Sequence, residues 1–384
     1  MQINAKLVII KMKILLDPQI FNEQVYGGIS RYYTEIFSHL KKEKKVVINL
    51  PLFQCQNVYI NESSLLSKKQ CVTFYIINLI SKLGISTRKF VKKKNNKLAL
   101  NALLNNDFDL YLPTYYDISF LSFIEKKPFV LTVYDMIHEI FPQYFEDDSK
   151  TVINKLCLME KATKIIAVSQ NTKNDILRLY PHINESKIEV IHHGSSIKIN
   201  HNIEVSLPLN YILFVGVREN YKNFEFLLKS ISDILLKDKT LKLVCAGGGK
   251  FTSYENNFIN KLNLKNSIIQ NNFKENELGH YYKNAKCFIF PSEYEGFGIP
   301  ILESMACGCP IVLTNNSSFP EVAGNAGIYF ELNNSVDLKN KIENLLQNEE
   351  LRKEFSLKGF EQVKKFDWKI ASMKCFKLYK SAIK

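Results

Sequence analysis

Short apolar runs alternate with helical patterns along the whole chain, and this alternation restricts the fold more than any other feature. The first series of predicted strands covers residues 12–17, 46–53, 108–112, 129–134, 164–168 and 188–191. A second series covers residues 211–215, 241–246, 267–270, 287–290, 311–314 and 327–330. Strands separated by helices form parallel sheets with helices on both faces. The sequence therefore predicts an α/β protein with two doubly wound parallel sheets.

Chain length and the break between the two series predict the domain boundaries. A chain of 384 residues is too long for one ordinary core. Residues 197–209 show no clear period and are interpreted as a linker. We expect one Rossmann-like domain over residues 1–200 and a second over 201–365. Residues 366–384 are predicted to form a helix that packs back on the first domain.

Composition limits the class of protein and its partners. Hydrophobic residues make up 46% and charged residues 23%, as in ordinary globular proteins. No apolar run is long enough to cross a bilayer. The eight cysteines are scattered, which favours reduced thiols and a cytoplasmic location. A formal charge of +13 fits nucleic acid, an anionic membrane face or a phosphorylated substrate. No nucleic-acid recognition module is visible.

A basic cluster over residues 87–97 follows an apolar stretch over residues 74–83. Such a pair can dock on an anionic membrane surface, which would place the protein at the inner face of the cell membrane. The same pattern also fits a core helix with a solvated charged face. The sequence leaves both interpretations open.

Residues 288–310 form the stretch most typical of a binding site. An apolar run ends in a loop that contains Glu295 and Gly298, and a helix follows, with Pro300 in its first turn and Gly308 at its end. A helix N-terminus after a glycine loop binds phosphate groups. Glu295 is predicted on this loop and Glu303 in the first helical turn, where carboxylates would hold hydroxyl groups.

Three further loops follow predicted strands, where doubly wound sheets bind their ligands. Gly216, Arg218 and Lys222 follow one strand, with Asn223 as the expected N-cap of the next helix, and the two cations could clamp a diphosphate. Gly27-Gly28 follows another strand as either a ligand-contacting loop or a plain tight turn. Tyr134-Asp135 ends a third.

These motifs resemble the retaining glycosyltransferases of family four, which have the GT-B fold. The family's Glu-x7-Glu motif is present as Glu295 and Glu303, and its glycine, basic and Lys-Asn pattern is present as Gly216, Arg218, Lys222 and Asn223. The glycine loop at residues 27–31, residues 319–324, and the Phe366-x-Trp368 ending also resemble the family. The similarity runs from about Met12 to the last helix.

The resemblance implies roles around a nucleotide-sugar donor. Arg218 and Lys222 would bind the diphosphate, Glu295 would contact the transferred sugar, and Glu303 would hold the ribose hydroxyls. The donor-binding loop would comprise Phe297, Gly298 and Ile299, with backbone N–H groups near the last two. Phe273 and Lys274 would lie near the base, and Gly216 would belong to the donor-binding residues in the loop above the sheet. Gly27 and Gly28 would line the cleft from the other domain.

One departure from the family concerns Tyr134 and Asp135, which stand where many relatives carry His-Asp. We expect both near the reacting sugar, although a tyrosine remains uncharged at neutral pH. His138 is a candidate to compensate.

The expected activity is transfer of a hexose, with retention, from a nucleotide diphosphate sugar to a glycan or lipid-linked acceptor. Residues 319–324 and 135–139 resemble mannosyltransferases of bacterial surface polysaccharides such as O-antigen or capsule. This resemblance favours GDP-mannose as the donor, with UDP-sugars as the alternative. We expect no cofactor and no metal. The rival interpretations are a sugar-nucleotide epimerase, a phosphorylase, a non-catalytic relative and a nucleic-acid-binding protein.

Overall fold

The protein is described by a computed structural model that covers residues 11–67, 70, 72, 74, 77, 88–145, 148–218 and 220–384. The strands are β1 (Met12–Leu16), β2 (Val46–Asn49), β3 (Leu110–Leu112), β4 (Val130–Val133), β5 (Lys164–Ala167), β6 (Ile188–Val190), β7 (Tyr211–Val215), β8 (Lys242–Ala246), β9 (Ile268–Asn271), β10 (Phe288–Phe290), β11 (Ile311–Thr314) and β12 (Gly327–Phe330).

The helices alternate with these strands. They are α1 (Gln19–Glu23), α2 (Gly28–Lys42), α3 (Val58–Glu62), α4 (Arg88–Leu104), α5 (Ile137–Ile140), α6 (Ser149–Lys161), α7 (Gln170–Leu179), α8 (Phe224–Lys237), α9 (Ser253–Lys261), α10 (Leu278–Asn284), α11 (Ile299–Ala306), α12 (Phe319–Ala323), α13 (Ser335–Gln347), α14 (Glu349–Val363) and α15 (Trp368–Ile383).

Both sheets are parallel and doubly wound, as predicted. In the N-terminal half, the order β2-β1-β3 continues into β4-β5-β6 through a parallel bridge between Tyr111 and Phe129. In the C-terminal half, the order is β12-β11-β10-β7-β8-β9. The strand order reverses between β1 and β3 in the first sheet and between β7 and β10 in the second. Ligands bind at such switch points in doubly wound sheets.

The predicted strands are confirmed to within a few residues, and β7, β11 and β12 have the predicted bounds. β2 ends at Asn49 instead of residue 53, since Pro51 has no N–H for a sheet ladder. Ser169 caps α7 as expected, with its Oγ accepting a hydrogen bond from Thr172 N at 3.0 Å. Asn223 is the N-cap residue of α8, as predicted, but it does not cap the helix with its side chain. That residue adopts a left-handed conformation with φ of 57°, and its side chain makes no capping bond to α8.

The last helix, α15, packs against α2 of the N-terminal domain. The ring of Tyr379 stacks on Phe37 with a centroid distance of 6.4 Å, and Tyr32 Oη lies 3.5 Å from Cys375 Sγ. Asp367 starts the helix by accepting hydrogen bonds from Lys369 N and Ile370 N. The end of the chain therefore ties the second domain to the first.

Within the described residues, every helix is too short or too polar to traverse a bilayer. Most of the basic cluster lies on α4, whereas the apolar stretch over residues 74–83 falls largely outside the described residues.

Candidate functional site

Glu295 and Lys222 meet at the switch point of the C-terminal sheet. Lys222 follows β7, Glu295 follows β10, and the lysine Nζ donates to the Glu295 carboxylate. Ser292 Oγ donates to the same carboxylate at 3.1 Å. The two charged side chains keep 15% and 17% of their surface exposed, so both remain open to the cleft. The structure therefore brings together the predicted cation and the predicted sugar-facing carboxylate.

Two helix N-termini face each other beside this pair. α11 begins after Gly298, whose φ of 91° is a conformation that favours glycine. α2 begins at Gly28, and a Cβ added there would lie 3.3 Å from Ile299 Cδ1. Gly27 is less open to a ligand, because a Cβ there would overlap the Gln24 side chain. Each helix end presents the positive end of its dipole to the same cleft, and in α2 the N–H of Ser30 already donates to Gln24 Oε1 at 3.1 Å.

Glu303 lies deeper in the site than predicted. It is the fifth residue of α11, so the expectation that it stands in the first turn is wrong. Its carboxylate is almost fully buried and accepts hydrogen bonds from Arg31 Nη1 at 2.6 Å and from Tyr282 Oη at 3.2 Å. Arg31 belongs to α2, so this hydrogen bond joins the two domains.

Arg31 is a site residue that the sequence analysis did not single out. Its guanidinium lies 3.3 Å from Glu275 as well as 2.6 Å from Glu303, and it donates to Ser196 Oγ. Burial alone would lower the pKa of Arg31, but Glu303 and Glu275 outweigh burial and raise it. The sequence carries no local signal for this role, because the burial of Glu303, which makes a cation necessary, appears only once the two domains are folded.

Arg218 is placed differently from the expectation of a diphosphate clamp. Its Nε donates to Glu255 at 2.6 Å, and its remaining N–H groups donate to backbone carbonyls of residues 247–250. The side chain is 2% exposed. Gly247, Gly248 and Gly249 all have positive φ, which turns their carbonyl groups toward the guanidinium. Arg218 therefore organises the triple-glycine loop and has little surface left for a ligand.

Gly216 leaves room at the end of β7. Its φ is 107°, and a Cβ added there would meet no atom of the described residues within 4 Å. Phe273 borders the same space, since its ring lies 3.2 Å from the position of a Cβ at Gly247. Lys274 is exposed, and its backbone N donates to Glu277 at 2.9 Å.

Tyr134 points its side chain into the N-terminal core. The hydroxyl donates to the Thr114 carbonyl at 3.3 Å, and the residue is 9% exposed. Burial raises the pKa of Tyr134 well above its ordinary value, which keeps the phenol neutral. The part of Tyr134 that reaches the site is its carbonyl group, which packs on Gly296 beside Glu295. The structure thus gives the side chain no contact that supports the predicted catalytic role.

Asp135 lies next to the Glu295 loop. A Cβ added at Gly296 would lie 2.9 Å from Asp135 Cβ, and the Asp135 carboxylate accepts from Ile137 N at 3.1 Å. Its carbonyl accepts from the buried Lys155. His138 has different partners from Asp135: it lies 3.0 Å from Asp148, and its ring packs on Phe145.

Family models account for nearly the whole chain. The model described as Glycosyltransferase Family 4 matches residues 26–197, and the model described as Glycosyl transferases group 1 matches residues 197–362. The chain belongs to the glycosyltransferases that these two models describe.

Relatives of this glycosyltransferase come from bacteria and archaea. Uncharacterized glycosyltransferase MJ1178 of Methanocaldococcus jannaschii is 34% identical over 218 residues, which is 56% of this chain and 59% of that protein. O-antigen chain mannosyltransferase B of Escherichia coli is 27% identical over 267 residues, which is 65% of this chain and 70% of that one. The first match thus spans less than two thirds of the relative's length.

Solved structures share the two-domain GT-B fold over almost the full chain. Sucrose-phosphate synthase from Thermosynechococcus elongatus has a TM-score of 0.72 at 16% identity, covering 97% of this chain and 99% of that one. Anabaena HepE in complex with UDP and glucose has a TM-score of 0.70 at 16% identity, covering 96% and 100%. At these identities the likeness is one of fold.

Phe297 supports the domain junction of this glycosyltransferase. It is buried, and its ring lies 4.8 Å from His193 and 5.9 Å from Phe366.

Among the described residues, no three His, Cys, Asp or Glu side chains are grouped as metal ligands would be.

Proposed function

We propose that this glycosyltransferase transfers a hexose, with retention, from a nucleotide diphosphate sugar to a glycan or lipid-linked acceptor. The pairing of Lys222 with Glu295 at the switch point, beside the N-terminus of α11, is the observation that carries the proposal. A cation and a carboxylate held together in a cleft meet the two opposite charges that sugar transfer creates.

Charge development during transfer explains these residue types. The leaving diphosphate gains negative charge, which Lys222 and the N-terminus of α11 stabilise by fixed electrostatics. The sugar becomes cationic at the reacting carbon, and the Glu295 carboxylate stabilises it. When the donor binds, its phosphates attract Lys222 and leave Glu295 facing the sugar. Positive charge from these protein groups supports a reaction without a metal ion, so chelation with EDTA should leave the rate unchanged.

Glu303 and Arg218 are buried residues that support donor binding beneath the surface of the cleft. Glu303 uses two of its lone pairs for Arg31 and Tyr282, and the others remain for the ribose hydroxyls. Arg218 acts through the loop at residues 247–249, whose backbone borders the open space above Gly216.

The donor we propose is GDP-mannose. Mannosyltransferases of O-antigen chains recur among the relatives, including RfbU of Salmonella typhimurium at 27% identity over 216 residues. The acceptor would then be a growing surface polysaccharide, such as O-antigen or capsule. UDP-sugars are the second candidate, favoured by the solved complexes of HepE with UDP and UDP-glucose.

A membrane-bound acceptor would agree with the exposed surface of α4. Lys93 and Lys97 share one helical face with Phe90, Leu100 and Leu104, and these apolar side chains are 57%, 40% and 61% exposed. We propose that this face contacts anionic lipid. Co-sedimentation with phosphatidylglycerol vesicles should fall for the double variant Lys93→Glu/Lys97→Glu. Unchanged sedimentation would rule out this surface as the contact.

A donor screen with three variants tests the activity. Purified protein is incubated with GDP-mannose or UDP-sugars and a lipid-linked acceptor extract, and released GDP or UDP is measured. Lys222→Met and Glu295→Gln should each lower kcat/KM about 100-fold or more, as loss of one preorganised charge does elsewhere. Lys229→Met is the matched control, because Lys229 lies on the exposed surface of α8 with its side chain 60% exposed. Near wild-type turnover in the first two variants would refute the site.

The stereochemistry needs its own measurement. Proton NMR of the product should show the same anomeric configuration as the donor. An inverted product would refute retention and leave the donor site in place.

A further inference from the structure

The loop that carries Glu295 is held on both sides by the opposite domain. On the N-terminal side, the Tyr294 hydroxyl donates to Asp175 Oδ2 at 2.9 Å and accepts from Met136 N at 3.3 Å. Tyr294 is 5% exposed and Asp175 is 8% exposed, so this contact is removed from water. A hydrogen bond to a buried carboxylate is among the stronger ones in proteins.

On the C-terminal side of Glu295, the carbonyl of Gly296 is the contact point. It accepts hydrogen bonds from Ser169 Oγ at 2.6 Å and from Thr172 Oγ1 at 3.2 Å. Both hydroxyls are fully buried. The absence of a side chain at Gly296 also allows the Tyr134 carbonyl to pack against it.

A single helix supplies most of these contacts. Ser169 is the N-cap of α7, and Thr172 and Asp175 follow at intervals of three residues. Residues at this spacing lie on one helical face. The first turns of α7 therefore form a template against which residues 294 and 296 are fixed, while Glu295 between them turns toward Lys222 of its own domain.

We propose that Tyr294, Ser169, Thr172 and Asp175 are positioning residues that orient Glu295 when the two domains close. This inference rests on the proposed function of Glu295. The reacting carboxylate belongs to the C-terminal domain, whose Ser317 and Ser318 hydroxyls bond to the N–H and the carbonyl of Glu295. The N-terminal domain holds the Tyr294 side chain and the Gly296 carbonyl on either side of it. The contacts from the N-terminal domain form only in the closed molecule, so the final orientation of Glu295 is reached on closure, which limits hydrolysis of the donor while the cleft is open.

A merely structural interface would have different kinetic consequences. Loosening the interface in general would weaken donor binding and raise KM. A misplaced Glu295 would leave donor binding intact and lose stabilisation of the transition state, which lowers kcat. A fall in kcat at an unchanged donor KM therefore indicates a positioning role, and a rise in donor KM indicates a merely structural role.

The experiment measures release of GDP or UDP from the nucleotide sugar that the wild-type enzyme turns over. Tyr294→Phe and Thr172→Val should each lower kcat about 10-fold, with donor KM within twofold of wild type. Thr172→Ser keeps the hydroxyl and should restore most of the rate. Tyr329→Phe is the control, because it removes a hydroxyl that donates to Gly324 within the C-terminal domain. Melting temperatures are recorded for all variants.

Three outcomes would overturn the inference. One is wild-type kcat in Tyr294→Phe and Thr172→Val. The second is a loss of kcat in Tyr329→Phe equal to that in Tyr294→Phe. The third is a Thr172→Ser rate as low as that of Thr172→Val. Glu295→Gln is assayed in parallel, because wild-type activity in that variant refutes the proposed function itself, whereas its inactivity beside a fully active Tyr294→Phe refutes only the positioning role.

Discussion

Arg31 extends its guanidinium across the cleft into an environment almost free of water. Its side chain is 9% exposed, and that of Glu303 is 6% exposed. Glu275, 28% exposed, shares the same cation. A buried charge is tolerated only when it is paired, so each member of this cluster depends on the others.

Replacing Arg31 with Met should therefore destabilise the protein. Methionine keeps the unbranched apolar part of the arginine side chain, but Glu303 and Glu275 are left facing each other without a cation. We expect the free energy of unfolding in urea to fall by about 3 kcal/mol. Lys229→Met, which breaks a surface pair, should change it by less than about 0.5 kcal/mol. Equal stability of the two variants would show that Arg31 contributes little to domain pairing.

At the scale of elements, strand positions follow from the sequence because each strand is a short apolar run between polar loops. The 211–215 and 311–314 predictions match the observed strands. The sequence analysis also predicted Glu295 and Lys222 as site residues, because each lies in a loop that follows a predicted strand. Side-chain direction was not predictable. Arg218 turns to the carbonyl groups of the 247–250 loop, and this depends on three glycines with positive φ that no periodicity reveals.

Contacts between the domains were equally hidden from the sequence. Arg31 and Glu303 are 272 residues apart, and Tyr294 and Asp175 are 119 residues apart. No local pattern pairs residues at such separations, because the pairing depends on how two folded domains meet. The glycine loop and the Glu-x7-Glu stretch indicate where a cleft lies, and the folded domains determine which side chains close it.

Asp17 at the end of β1 gives an element-scale prediction about pH. Burial raises the pKa of Asp17 to about 7, against hydrogen bonds from Thr114 that lower it. Between about pH 4 and pH 7 the folded state thus binds more protons than the unfolded state. The contribution of Asp17 to stability must fall as pH rises through this window. Asp17→Asn should remove this slope.

Urea unfolding at pH 5 and at pH 8 measures the effect. The stability difference between Asp17→Asn and wild type should shift by about 2 kcal/mol in favour of the variant at pH 8. This stability difference is smaller than the whole pKa shift of Asp17 would produce, because part of the Asp17 side chain still contacts water. Parallel pH profiles for the two proteins would contradict the assignment.

On the scale of the whole molecule, the two domains and the last helix converge on His193. Its ring lies 5.0 Å from Tyr32 of α2, 4.8 Å from Phe297 in the loop before α11 and 5.5 Å from Trp368 of α15. His192 beside it binds Glu321 of the C-terminal domain at 2.6 Å. The same carboxylate accepts hydrogen bonds from the N-terminus of α7. Domain closure therefore combines an aromatic cluster with a charged contact.

Acid should open this junction in two steps with different causes. Burial, and secondarily the neighbouring His192, lowers the pKa of His193 to about 3. The unfolded state thus binds more protons below about pH 6.5, and the stability contributed by a neutral His193 is lost as pH falls from there toward 3. Burial raises the pKa of Glu321, but hydrogen bonds from His192, Gln170 and Asn171 outweigh burial and hold it below its ordinary value, so the Glu321 contact is lost only at lower pH.

The single tryptophan of the sequence, Trp368, lies in this junction, so its fluorescence reports the opening. His193→Phe should move the acid midpoint of the fluorescence change down by about one pH unit, because an aromatic ring without a titrating group replaces the imidazole. The variant should also gain stability at pH 7, since His193 Nδ1 has no hydrogen-bond partner among the described residues. Glu321→Gln should leave the first step unchanged and abolish the second. An acid transition in His193→Phe identical to that of wild type would show that His193 does not control closure, and the first step would then have to be assigned to another titrating group.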